Sequence, residues 1–319
     1  MIVHSSAAWV VHIMVKTLEK LFHTFFFGNY FYGICAVALS IEASLQQGYS
    51  LNHPFWYILL FVGTVIYYTI AYLHEKNSTS INPRTIWYKE HQAWIRKSQW
   101  LLLLIAVITG SYLVFLYGSG IQFVKTWQWI IILVFPTLAV WYYGDAIPWL
   151  HKISLRSKGW IKPFVIGFIW AGVVNIYPAI LSVIENKSSY EPDVFHFLLF
   201  LKNGMFISML CILFDIKDYA TDYNEELKTF VVRFGLRKTL FYIIIPLTAF
   251  GLGTFLTYGT VHHFPLFRML INTVPFILLI IVTYHMHRRK SILYYLAIID
   301  GLMLVKAICG IGGSWIQHT

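Results

Sequence analysis

Long apolar runs, which recur along the whole chain, constrain its fold more than any other feature. A helix that crosses a bilayer core needs about 20 predominantly apolar residues, and nine runs of roughly this length are present. Because lipid offers no hydrogen-bond partner to backbone polar groups, each run is predicted to be helical. The sequence therefore predicts an all-α, polytopic membrane protein, a bundle of nine transmembrane helices. The runs cover residues 21–45, 54–73, 98–117, 127–147, 162–184, 194–214, 239–258, 265–285 and 291–312.

Composition supports this fold class. Hydrophobic residues make up 58% of the 319 residues and charged residues only 12%, so a water-soluble domain could not bury its apolar surface. We expect a single transmembrane domain over residues 1–319, in which residues 1–20 form a lead-in at the membrane surface. The three cysteines lie inside apolar runs and have no metal-ligand spacing, which indicates small buried hydrophobic side chains.

The net charge of +10 comes from basic residues that cluster in alternate loops. The N-terminus and the loops after the second, fourth, sixth and eighth runs hold 19 of the 24 Lys and Arg residues. This alternation is typical of topology signals that face anionic lipid, and it argues against a nucleic-acid partner. It predicts a cytoplasmic N-terminus and an external C-terminus, in a membrane such as the bacterial inner membrane.

A stretch of acidic residues follows the sixth run. If the helix continues through it, Asp215, Asp218 and Asp222 share one face, because they are spaced at i, i+3 and i+7. Three carboxylates on one face repel each other unless a cation joins them. Oxygen ligands suit Mg²⁺, whose coordination is usually completed by waters and substrate phosphates. The stretch therefore predicts a metal site that binds a diphosphate.

The segment 215–235 resembles the second aspartate-rich motif of the UbiA superfamily of intramembrane prenyltransferases. The three aspartates are followed by Lys228-Thr229 and by Val232-Arg233-Phe234-Gly235, in the order and spacing of that motif. Weaker matches lie at residues 29–33, at residues 82–84 with Trp87, and at residues 159–162. The resemblance implies a helical bundle around a cavity that opens near the cytoplasmic face.

The resemblance also implies an activity: Mg²⁺-dependent transfer of an isoprenoid chain from an isoprenyl diphosphate to an aromatic or lipid acceptor, in the bilayer. Asp215, Asp218 and Asp222 would be the catalytic metal ligands. Basic residues from three loops would bind the diphosphate and help to neutralise the charge that it develops. These residues are Arg84, Lys158, Lys162, Lys228 and Arg233.

The chain departs from the family pattern at the first aspartate-rich motif, which reads N-x-x-x-D-x-x-x-D. Thr69, Leu73 and Asn77 stand at the three motif positions, so two carboxylates are missing. The adjacent His74 and Glu75 are interpreted as an ordinary pair at the membrane interface. This departure leaves two alternatives open: a non-catalytic protein that binds an isoprenoid or quinone or scaffolds a partner, and a membrane terpene cyclase.

Four further charges lie inside or at the ends of apolar runs. Glu42, Lys202, Asp300 and Lys306 are expensive to hold in lipid without partners. Asp300 and Lys306 are six residues apart and so lie on different sides of one helix. Partner helices must supply the neutralising groups.

Overall fold

A computed structural model describes residues 3–74, 82–142, 159–189, 191–224, 228–288 and 290–315. Within these ranges every regular element is a helix, as the apolar runs predict. The first half of the chain contains α1 (Val3–Phe27), α2 (Tyr30–Gln46), α3 (Pro54–His74), α4 (Pro83–Glu90), α5 (Gln92–Tyr117), α6 (Thr126–Tyr142), α7 (Lys162–Ala171) and α8 (Tyr177–Asn186). The second half contains α9 (Val194–Asp215), α10 (Tyr219–Asn224), α11 (Phe230–Phe234), α12 (Leu236–Lys238), α13 (Ile245–Val261), α14 (Leu266–His285), α15 (Ile292–Tyr294) and α16 (Gly301–Trp315).

Within the described part of the chain, seven segments are long and apolar enough to cross a bilayer on their own. Their outward faces stay apolar: in α5 the side chains of Trp100 and Phe115 are 73% and 83% exposed. Exposed apolar surface on this scale suits lipid and not water, so the chain is an integral, multi-pass membrane protein. The seven segments are Pro54–Leu73, Gln92–Phe123, Lys162–Asn186, Val194–Asp218, Leu236–Val261, Leu266–His285 and Ile292–Ser314.

The first apolar run, residues 21–45, is helical but is not one continuous helix. It is divided between α1 and α2, whose axes are bent by 57° at Gly28 and Asn29. Asn29 has a φ of 66°, in the left-handed region, which an α-helix cannot propagate through. If the bent pair is counted as one span, the described residues contain eight.

The fourth apolar run, residues 127–147, coincides with α6. This helix has 17 residues and ends at Tyr142, beyond which residues 143–158 lie outside the described part of the chain. All nine apolar runs therefore contain helix, whereas nine complete spans remain a prediction.

Three spans contain a wide π-helical turn. These turns join α7 to α8 at Gly172–Ile176, α12 to α13 at Thr239–Ile244, and α15 to α16 at Tyr295–Ile299. In the first two spans a proline, Pro178 or Pro246, follows the turn. Because proline cannot donate a backbone hydrogen bond, it interrupts the regular helical ladder and favours such a local change of winding.

The centre of the bundle is formed by α2, α7, α9 and α16, and their buried side chains make up much of the core. The axes of α7 and α9 approach closely because small residues meet there. A Cβ atom on Gly167 would lie 2.1 Å from the Ser208 Oγ atom and 2.5 Å from the Gly204 carbonyl oxygen. Close approach at small residues is a common way for helices to associate in membranes, and here it brings Lys162 at the start of α7 towards Asp215 at the end of α9.

Candidate functional site

A cavity of about 360 Å³, here called the polar cavity, lies where the ends of α3, α4, α7, α9 and α16 meet. Three cations and three carboxylates of the described residues line it. Four of these six residues were predicted as site residues, and the other two are Lys217 and Asp300. The six are Arg84, Lys162, Asp215, Lys217, Asp218 and Asp300.

The acidic stretch is helical, but its winding tightens at the site. The α9 helix ends at Asp215, residues Ile216–Asp218 form a 3₁₀ turn, and α10 begins at Tyr219. Asp215 is buried and Asp218 is half exposed. Both line the polar cavity. Asp222 does not line the cavity, but it lies close enough for its neighbours to influence its charge.

Two lysines hold the first two aspartates. Lys162 Nζ donates to Asp215 Oδ1 at 2.8 Å, and Lys217 Nζ forms a close ion pair with Asp218 Oδ2. The other oxygen of Asp215, Oδ2, is buried and has no hydrogen-bond partner among the described residues. This oxygen is therefore a ligand atom that the fold leaves available.

The three motif carboxylates interact electrostatically. Burial raises the pKa of Asp222 to about 6, and the negative charges of Asp218 and Asp215 add to the rise. Among the described residues, however, no three Asp, Glu, His or Cys side chains are grouped closely enough to form a metal site as they stand. The donor chemistry fits Mg²⁺ through the available Asp215 oxygen and the nearby Asp218, whereas Lys162 and Lys217 already neutralise part of the cluster.

Arg84 is fixed in the wall of the polar cavity by the break between α1 and α2. Its Nη2 atom donates to the Phe27 carbonyl oxygen at 3.1 Å and to Asn29 Oδ1. Its guanidinium carbon lies 4.4 Å from the ring centroid of Tyr72. The Nε atom is buried without a hydrogen-bond partner among the described residues. Arg84 is thus held rigidly and keeps a donor unused.

Asn29 connects this arginine to two other helices. Its Nδ2 atom donates to Thr69 Oγ1 at 3.1 Å and to the Tyr88 hydroxyl at 3.0 Å. Burial raises the pKa of Tyr88 to about 12, so the hydroxyl stays protonated and donates to the Phe27 carbonyl oxygen at 2.9 Å. The weak sequence matches at residues 29–33 and 82–84 therefore meet in one hydrogen-bonded cluster, which includes a position of the missing first motif, Thr69.

Asp300 was not predicted to belong to the site. It is 6% exposed, lines the polar cavity and accepts a 2.5 Å hydrogen bond from the Tyr32 hydroxyl. The sequence did mark it as an intramembrane charge that needs a partner, which is the signal that could have placed it here. Its partner is 268 residues away along the chain, a distance at which sequence spacing gives no information.

Three predicted diphosphate-binding residues are not in the cavity wall that the structure describes. Lys158 lies outside the described residues. Lys228 is exposed in the segment before α11, and it does not line the polar cavity. Arg233 is exposed and its guanidinium carbon lies 4.8 Å from the ring centroid of Trp160. Glu75 and Asn77 also lie outside the described residues.

An apolar cavity of about 400 Å³ adjoins the polar cavity. It lies between α3, α6 and α7, and four side chains line both spaces: Tyr68, Tyr142, Ile166 and Trp170. Two of these are tied together, since Trp170 Nε1 donates to the Tyr68 hydroxyl at 2.6 Å. Together the cavities form an amphipathic space with charges at one end and aromatic and aliphatic walls along the rest.

No protein-family model and no curated protein sequence matches the chain. Two solved structures do. One, from work on digeranylgeranylglyceryl phosphate synthase, has a TM-score of 0.53 and 14% identity, and the match covers 93% of this chain and 99% of that one. The other, an apo UbiA homolog from Aeropyrum pernix K1, has a TM-score of 0.57 and 14% identity, over 90% and 98% of the two chains. The likeness over nearly the whole length confirms the expected fold: the chain has the all-helical membrane fold of these two structures.

Proposed function

We propose that the chain is a membrane prenyltransferase that moves an isoprenoid chain from an isoprenyl diphosphate to an aromatic or lipid acceptor. The observation that supports this best is the amphipathic space formed by the two adjoining cavities. A diphosphate matches the end that holds Arg84, Lys162 and Lys217, and an isoprenoid tail matches the apolar end. The likeness to structures of a digeranylgeranylglyceryl phosphate synthase and of a UbiA homolog is consistent with this assignment.

The cations have distinct tasks in this proposal. Arg84 is immobilised by Phe27, Asn29 and Tyr72, and a small shift of its side chain would expose the unused Nε donor to a diphosphate oxygen. Lys162 and Lys217 are each paired with an aspartate, and their ammonium groups would donate hydrogen bonds to the diphosphate as well as to the carboxylate. Fixed donors directed at a leaving group stabilise the charge that grows on it as the carbon–oxygen bond breaks.

Mg²⁺ would be held by Asp215 Oδ2 and Asp218 in the cavity wall, and Asp222, which does not line the cavity, would have to turn towards them to complete the site. When bound, the metal neutralises diphosphate charge as a Lewis acid. With Leu73 and Asn77 in place of aspartates, we expect this single metal site to be assisted by Arg84, which lines the same cavity as Asp215 and Asp218.

The allyl cation left behind needs an environment that excludes water and carries electron-rich rings. Tyr68, Tyr142 and Trp170, at the junction of the two cavities, would supply it. When the acceptor attacks the allylic carbon, it forms the new bond and loses a proton. Asp300, which is buried and hydrogen-bonded to Tyr32, is the base that we assign to this proton.

A non-catalytic, isoprenoid-binding role is the second candidate. The ion pairs Lys162–Asp215 and Lys217–Asp218 favour it, because they neutralise two carboxylates without a metal.

We also propose that the polar cavity faces the cytoplasm and the C-terminus lies outside, as the basic loops predict.

The test is transfer by the purified full-length protein, in lipid nanodiscs, from radiolabelled isoprenyl diphosphates of several lengths with and without Mg²⁺. Asp215→Asn should lower turnover by about 10²–10³, the usual effect of removing a group that stabilises transition-state charge. Glu191→Gln is the matched control, because this carboxylate is 79% exposed and lies at the other end of α9 from the site.

Each outcome is decisive. Labelled diphosphate that binds but is never ionised by the parent protein would support the binding role and refute the transferase. Release of a cyclic hydrocarbon without acceptor would indicate a cyclase. Equal activity in Asp215→Asn and Glu191→Gln would refute the assigned site.

A further inference from the structure

The apolar cavity follows one face of α3, away from the polar cavity. Its lining residues in α3 recur at intervals of three and four positions, which places them on a single side of the helix. The face begins at Tyr68, which also lines the polar cavity, and extends to Trp56, twelve residues away and about 18 Å along the helix axis. Between these two, the lining residues are Leu59, Leu60, Gly63, Thr64 and Tyr67.

Aromatic rings form the end of the apolar cavity that is distant from the polar cavity. The rings of Trp56 and Tyr177 meet edge to face with centroids 6.4 Å apart, and Tyr177 meets Phe135 in the same way at 5.8 Å. The Tyr177 hydroxyl donates to the Ile132 carbonyl oxygen at 2.7 Å, which fixes this ring against α6. Because closely packed rings resist displacement, the distant end of the cavity is firm.

Gly63 leaves an opening within this face of α3. A Cβ atom at Gly63 would have no atom within 4 Å, whereas a Cβ atom at Gly172 would lie 2.1 Å from the Phe135 Cε1 atom. Close packing therefore accounts for the second glycine and not for the first. Glycine inside a helix lowers stability relative to alanine, so the empty space at Gly63 needs another explanation. The space widens the apolar cavity.

The position of Gly63 separates short tails from long ones. It lies five residues from Tyr68, about 8 Å along the helix axis from the junction of the two cavities. A side chain here would project into the apolar cavity, because Leu59 and Tyr67, one turn to either side, both line it. With its diphosphate in the polar cavity, a long isoprenoid tail passes Gly63 and a short one ends before it.

We propose that Gly63 determines the length of the isoprenoid tail that the apolar cavity accepts. The absent side chain leaves room for a long tail to reach the aromatic end at Trp56. The inference rests on the proposed function, since it takes an isoprenyl diphosphate as the ligand, and it adds the residue that selects among such ligands.

The test measures equilibrium binding to the purified full-length protein in lipid nanodiscs. The probes are radiolabelled thiolodiphosphate analogues with a dimethylallyl or a geranylgeranyl tail, in which sulfur replaces the oxygen of the bond that would break. Gly63→Leu fills the opening. It should weaken binding of the geranylgeranyl analogue at least about tenfold, because several tail carbons lose their burial. Binding of the dimethylallyl analogue should stay as it is in the parent protein.

The matched control is Gly110→Leu, in α5. A Cβ atom at Gly110 would also have no atom within 4 Å, and Gly110 lines neither cavity. Both analogues should bind this variant as they bind the parent. Because leucine favours the helix more than glycine does, both variants should fold, and thermal unfolding measures this.

A geranylgeranyl analogue with a photoreactive group at the end of its tail tests the same proposal without a substitution. In the parent protein it should cross-link to α3, α6 or α8, the helices that hold Trp56, Phe135 and Tyr177. Cross-links confined to other helices would overturn the proposal. So would a Gly63→Leu variant that binds the geranylgeranyl analogue as tightly as the parent does.

This proposal and the proposed activity can fail separately. A parent protein that binds both analogues but transfers no isoprenoid would refute the activity, and a selective loss of the long analogue in Gly63→Leu would still support the role of Gly63. A parent protein that transfers isoprenoids, with a Gly63→Leu variant that keeps the preference of the parent, would refute the role of Gly63 alone.

Discussion

Charged side chains have different kinds of partner at the two ends of α9. At the Asp215 end, three cations meet three carboxylates, and two of the carboxylates are paired with lysines. At the Lys202 end, Glu42 is paired with Lys306, and Lys202 donates to the neutral Gln46 side chain. The same requirement, that a charge within a membrane needs a partner, is met by carboxylates for Lys162 and Lys217 and by a neutral amide for Lys202.

The depth of the ion pairs differs as well. In the Lys306–Glu42 pair the two side chains are 5% and 0% exposed, whereas in the Lys217–Asp218 pair they are 18% and 48% exposed. A deeply buried pair cannot exchange its partner without leaving an uncompensated charge, and so it acts as a structural element. A half-exposed pair can open to a ligand at little cost. The comparison teaches that the polar cavity is suited to changing partners, whereas the Lys306–Glu42 pair is suited to fixing α2 against α16.

The largest expected effect comes from breaking that structural pair. Glu42→Gln removes the negative charge beside Lys306 and should lower stability by about 3–5 kcal/mol, because a buried ammonium group is left uncompensated. The measurement is thermal unfolding of the purified protein in detergent. Glu191→Gln is the control: its pair with Lys125 is 4.0 Å long and exposed, so stability should change by about 1 kcal/mol at most. Equal changes in melting temperature in the two variants would show that the buried Lys306–Glu42 pair is no more important for stability than the exposed pair.

A smaller effect is expected from crowding the same pair without changing its charge. A Cβ atom on Gly310 would lie 2.3 Å from Glu42 Cγ and 2.5 Å from Glu42 Oε1. Gly310→Ala should therefore destabilise by about 1–3 kcal/mol, the usual range for overpacking. Gly63→Ala, in α3, has no atom within 4 Å of the new Cβ and should be neutral or slightly stabilising. If both variants melt at the temperature of the parent, the close packing around Glu42 is not structurally important.

The smallest effect concerns surplus negative charge at the Asp215 end. The pKa of Asp222 is raised from 3.8 to about 6, so the folded state binds an extra proton between these values. Stability contributed by this group is therefore lost as pH rises through that window. Asp222→Asn should raise the melting temperature above pH 6, and the gain should disappear below about pH 4. Parallel melting curves from pH 3.5 to 7.5, with a chelator present, measure it, and a pH-independent difference would contradict the assigned cause.

The sequence predicted the helical class and the nine apolar runs in which helix occurs, because the bilayer imposes one solution on any long apolar run. It also predicted that Asp215, Asp218, Lys162 and Arg84 belong to one region. The spacing of the aspartates led to Asp215 and Asp218, and the resemblance to a known motif led to Lys162 and Arg84. All four side chains line one cavity.

What escaped prediction depends on contacts between distant helices and on changes of backbone winding. The partners of Lys162 and of Lys306 are 53 and 264 residues away. Residue spacing predicts contacts only within one helix, so it could not identify these partners. The break at Asn29 also went unseen, because a single left-handed residue leaves the surrounding apolar pattern intact. That break is nevertheless what frees the Phe27 carbonyl oxygen to accept from Arg84 and Tyr88.

The π-helical turn at Tyr295–Ile299 acts as a phase shift within its span. Asp300 follows it directly, and the Asp300 amide donates to the Tyr295 carbonyl oxygen, five residues back, at 3.1 Å. One residue in a helix corresponds to about 100° of rotation, so the wide turn sets the angle at which everything after it meets the bundle. If that turn had one residue fewer, the Asp300 carboxylate would be rotated about the helix axis, away from the Tyr32 hydroxyl that donates to it. Whether Asp300 places its charge in the polar cavity therefore depends on its angular position on the helix, which residue identity alone does not reveal.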